Sequence, residues 1–61
     1  MTRYALRTEH GYVSGLFPDG RAVRAVYTAD SAFALTWPSA TEALLAVVEI
    51  DVAMDLVAVE R

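Results

Sequence analysis

The chain has 61 residues, 56% of them hydrophobic, with no cysteine, one histidine and a net charge of −3. That length allows a single domain, 1–61, burying only about 60% of its unfolded surface. Disulfides are excluded, and a histidine-based zinc site, which takes three or four protein ligands, is disfavoured. Stability must then come from dense packing or from association between chains.

Residues 3–8, RYALRT, alternate, with Tyr4 and Leu6 on one side and Arg3, Ala5 and Arg7 on the other. This is the pattern of a half-buried strand. A turn at Glu9–Gly11 leads to a second strand at YVSGL, 12–16. FPDGR is the clearest turn signal, because Pro18 presets φ, Asp19 bonds back to the backbone and Gly20 accepts a left-handed conformation. It predicts a hairpin between 12–16 and 21–28. In the third strand, RAVRAVYT, Val23, Ala25 and Tyr27 share one face, and Ala22, Arg24 and Val26 the other. ADSA should break the strand as a turn or a single helical turn. FALTW is then a short extended piece or a packed connector.

A helix start follows. Trp37 precedes Pro38 and is pushed towards extended geometry. Ser39 and Glu42 fit the Ser-x-x-Glu capping box, and Glu42 lies near the positive end of the helix dipole. The helix is expected from about Ala40 to about Ile50, followed by a loop and a last strand within MDLVAVER. The order strand, strand, strand, helix, strand predicts an α+β fold, with a small antiparallel sheet and one helix across a face.

At 100° per residue, Thr41, Leu44, Leu45 and Val48 form one helical face, and this one is expected to cover the sheet. Ala43, Val47 and Ile50 form a neighbouring apolar face that one small sheet cannot use. Either the connector folds over it, with Phe33, Leu35 and Trp37 completing the core, or it is an interface, since sizeable exposed apolar patches mark interactions. In the second case the chain would be a small structural or assembly module acting as a homodimer.

The charges are unevenly spread. Residues 1–24 carry Arg3, Arg7, Arg21 and Arg24 against Glu9 and Asp19, whereas residues 25–61 carry Asp30, Glu42, Glu49, Asp51, Asp55 and Glu60 against Arg61 alone. Those six carboxylates are the candidate partner-binding surface, because acids held on a rigid scaffold can imitate phosphate spacing and occupy a basic channel. Direct nucleic-acid binding is not expected of a chain with a pI near 4.7, since phosphate neutralisation carries most such affinity.

Catalytic chemistry is not expected. The serines at 14, 31 and 39 have only His10 as a base, and it falls in an exposed turn, whereas a nucleophile needs an oriented base within reach. Asp51 and Asp55 lack the pattern of a calcium loop, there is no Gly-rich phosphate cradle, and no cofactor is implied. No apolar run reaches the roughly 18 residues of a membrane span, and the N-terminal residues lack the apolar core of a secretory signal. The expected compartment is cytoplasmic.

The segments YTADSAFALTWPSATEALL and DLVAVE give the chain its resemblance to small phage- and prophage-encoded proteins. Among these it most resembles the anti-CRISPR proteins that inhibit type I surveillance complexes. The resemblance implies a tiny non-enzymatic α+β domain of the bacterial cytoplasm, monomeric or dimeric. It also implies a Cas protein with a basic nucleic-acid-binding surface as partner, and inhibition by a DNA-mimicking surface that blocks target DNA or PAM recognition.

Overall fold

A computed structural model describes residues 1–48, 50 and 52–60. The elements are β1 (Thr2–Thr8), β2 (Gly11–Asp19), β3 (Ala22–Thr28), a 3₁₀ turn (Ser31–Phe33), α1 (Ala40–Ala46) and β4 (Asp55–Glu60). The strands form one antiparallel sheet in the order β3-β2-β1-β4, with α1 against one face. The expected α+β class and element order are what the chain adopts.

Both hairpins depend on glycine. β1 and β2 join through Glu9 and His10, and the Thr8 hydroxyl accepts from the His10 N–H at 3.0 Å and donates to the Gly11 carbonyl at 3.1 Å. Gly11 has φ +111°, and a Cβ there would lie 2.6 Å from the Thr28 carbonyl oxygen, so no side chain fits. At the second hairpin Asp19 pairs with Ala22, and the turn proper is Gly20–Arg21, with Gly20 at φ +65°. Glycine first, followed by a residue of negative φ, is the pattern of a type II′ turn, whose twist suits a hairpin. The strand therefore runs on through Pro18 and Asp19 instead of stopping at residue 16. Pro18 is tolerated because β2 has no β1 partner at that end.

β1 and β2 pair only at their shared turn, Arg7 with Tyr12 and Thr8 with Gly11. A bulge between Val13 and Gly15 then bends β2 away, and the connector enters the gap. The Leu35 N–H donates to the Val13 carbonyl at 2.9 Å, while Tyr4 and Trp37 exchange backbone bonds of 2.9 and 2.8 Å. Of FALTW, Phe33 closes the 3₁₀ turn, whereas Leu35–Trp37 form the piece laid beside the strands, with Trp37 a bridging residue. Arg3 fixes it further, donating to the Thr36 hydroxyl at 2.7 Å and to the Thr36 carbonyl at 3.1 Å.

Ser39 caps α1 as expected, accepting from the Glu42 N–H at 3.2 Å. The Glu42 carboxylate accepts from the Ser39 hydroxyl, also at 3.2 Å, in place of the Ser39 backbone N–H of a full capping box. The helix ends at Ala46, four residues before the expected Ile50. Val47 has left helical geometry at φ −116°, ψ 14°, and the Ile50 N–H closes a turn onto the Val47 carbonyl. Two consecutive β-branched residues and the absence of a basic residue in the last turn give the segment little reason to continue.

The core is small. Leu6, Val13 and Ala43 are fully buried, with Tyr4, Leu16, Tyr27, Leu35, Trp37, Val47 and Met54 packed around them. Leu35 and Trp37 join the core as expected, but Phe33 is 71% exposed.

Candidate functional site

Seven residues of helix have room for one face on the sheet. The bulky side chains already on that face of the sheet, Tyr4, Leu6, Tyr27 and Trp37, leave space for a small residue, and Ala43 fills it at 0% exposure with Val47 beside it. This reverses the sequence expectation. Ala43 and Val47 turn inwards and Ile50 is half-buried, so these three do not form an open interface. Leu44, Leu45 and Val48, expected on the sheet, are 53%, 65% and 76% exposed. Exposed Thr41, Leu44 and Leu45 span about 100° of the helix, an outward and largely apolar arc, and Val48 follows just past the helix end.

The acidic residues are not gathered by any shared contact. Asp30 caps the 3₁₀ turn, accepting from the Ala32 N–H at 2.9 Å. Glu42 belongs to the cap of α1. Glu60 accepts from the Thr2 hydroxyl and lies 3.9 Å from the N-terminal ammonium. Asp55 stands at the other end of β4, directly across from Arg7. Five residues separate Asp55 from Glu60, so strand alternation points them to opposite faces. Glu49 and Asp51 lie outside the described residues.

The register also sorts the arginines. Tyr4, Leu6 and Val13 lie on the helix side. Arg7 is opposite both Tyr12 and Asp55, and Phe17 is opposite Arg24. Alternation and the bulge put Arg3, Arg7, Tyr12, Phe17, Arg24 and Val26 together on the other face. The half-burial of Val23, Ala25 and Tyr27, alternating with exposed Ala22, Arg24 and Val26, agrees with this. The signal was present in the sequence as alternation, but the bulge that brings Phe17 onto the face of Tyr12 could not be read there.

Chemistry beyond binding finds little material. His10 is exposed and leans on the Tyr27 ring, with centroids 5.4 Å apart, while its Nε2 lies 3.5 Å from Glu9. The Ser14 hydroxyl donates to the Val26 carbonyl. A solvent-open cleft of about 440 Å³ is lined by Arg7, Thr8, Glu9, Val52, Ala53, Met54 and Asp55, and its mixed charges converge on no ligand type. Among the described residues no cluster of metal-ligating side chains occurs, and no helix is long and apolar enough to cross a membrane. No family model matches the sequence, and the comparisons with curated proteins and with solved structures found no match.

Proposed function

We propose that the chain is a non-enzymatic protein-binding module that docks through the outward side of α1, and that its partner there is a second copy of itself. The carrying observation is the exposure of Leu44 and Leu45 on one side of α1, with Val48 exposed just past its end. Three large aliphatic side chains left in water, beside a core that fully buries few large ones, are what a chain of this size uses to gain stability by association. A two-fold contact suits such a patch, since each copy offers the same apolar surface to the other.

The acidic-mimic role receives less support. It needs carboxylates on one face, whereas Asp30 and Glu42 act as caps and Asp55 and Glu60 occupy opposite ends of β4. An inhibitor of a type I complex would more plainly use the apolar arc.

Light scattering on a size-exclusion column tests the proposal. The wild-type chain should elute at twice its 6.6 kDa mass, and Leu45→Glu should elute as a folded monomer. A monomeric wild type would overturn self-association. Salt-sensitive binding of that monomer to a purified type I complex, lost on neutralising Asp30, Asp55 and Glu60, would establish the acidic surface instead.

A further inference from the structure

The sheet face away from α1 pairs arginines with aromatic rings. Tyr12 has Arg7 directly across the ladder, and Phe17 has Arg24; directly opposed side chains start only about 5 Å apart. The two pairs sit towards opposite ends of β2. Arg7 and Arg24 are exposed, and neither forms an ion pair with a described residue. Phe17 is 55% exposed, and its ring lies over Gly15, where a Cβ would come within 2.8 Å of it. The ring is therefore set in place by backbone it rests on.

The chain contains no lysine, and all its cationic side chains are arginines. Arginine differs from lysine in stacking on planar groups and in gripping phosphate with two parallel bonds. The total charge is acidic, but the face away from α1 carries more arginines than acids. Arg3, Arg7 and Arg24 share that face with Asp19 and Asp55, whereas Asp30 and Glu42 cap helical turns away from the strands and Glu60 alternates to the helix side. A planar aromatic beside an exposed guanidinium, repeated along a strand, suits a ligand with alternating flat bases and phosphates.

We propose that this face binds single-stranded nucleic acid, with Phe17 and Tyr12 stacking on bases and exposed Arg24 and Arg7 holding the adjoining phosphates. The site is independent of the outward arc of α1. Its charge complementarity is local, so binding should be weak and visible at low salt.

Fluorescence anisotropy with a labelled oligothymidine of about 12 nucleotides, within the usual site size of such surfaces, is the test. With two phosphates neutralised, affinity should fall about sevenfold between about 50 and 200 mM salt. Phe17→Leu, which keeps apolar bulk over Gly15, should weaken binding about fivefold or more through lost stacking. Arg7→Ala with Arg24→Ala should flatten the salt dependence, and Leu45→Glu should leave binding unchanged. Circular dichroism confirms that each variant is folded. Absence of binding at low salt, equal binding of a duplex, or indifference to Phe17→Leu and to the arginine pair would each overturn the proposal. Binding of polyglutamate in place of the oligonucleotide would also overturn it and make the face a site for acidic protein.

Discussion

Leu6 and Val13 are the two large side chains fully withdrawn from water among the described residues, so the fold is sensitive at these positions. Leu6→Ala should cost about 2–5 kcal/mol. That is comparable with the whole stability of about 3–9 kcal/mol expected for a chain of this length, and urea titration should find the variant largely unfolded. Ser39 is a milder test. Its hydroxyl satisfies the Glu42 N–H and reaches the Glu42 carboxylate, so Ser39→Ala should cost about 1 kcal/mol and shift the urea midpoint without changing its slope. Gly11 combines positive φ with the close Thr28 carbonyl. Gly11→Ala should therefore destabilise by more than the roughly 1 kcal/mol of an ordinary glycine replacement.

At the scale of elements, much of the fold was legible. The alternation in RYALRT and RAVRAVYT, the turn glycine Gly20 and the Ser-x-x-Glu cap each have a local physical cause, and β1, β3 and the start of α1 follow them, although the turn falls at Gly20–Arg21 and not on Pro18 and Asp19. What could not be read is set by tertiary contacts. The splaying of β1 from β2 depends on the bulge near Ser14, and the place of Leu35–Trp37 depends on the gap so opened. The rotation of α1 differs from the expected one for a related reason. Apolar periodicity marks which residues share a side, but only the bulk already on the sheet decides that Ala43, and not Leu44 or Leu45, meets Leu6 and Val13. Two substitutions separate these orientations. Val47→Glu places a charge against the core and should abolish the cooperative unfolding transition. Leu45→Glu lies on the outward arc and should leave the circular dichroism spectrum intact.

The whole molecule is thin, with extents of 34 × 23 × 17 Å. Its accessible surface of 4223 Å² exceeds the value of about 3,900 Å² that size scaling gives for a monomer of this mass. Part of that excess is apolar, on the outward arc of α1, at Phe33 and at Leu56. A second copy seated on the arc would remove some of it from water and add to a core built on a few residues. Stability would then depend on protein concentration, because binding to the folded state alone shifts the unfolding equilibrium by mass action. The measurement that tests this most directly is the thermal midpoint of the wild type and of Leu45→Glu over a hundredfold range of concentration. A wild-type midpoint that climbs with concentration, beside a lower and constant midpoint for Leu45→Glu, is the predicted result. Midpoints independent of concentration in both proteins would contradict the outward face of α1 as an interface between copies.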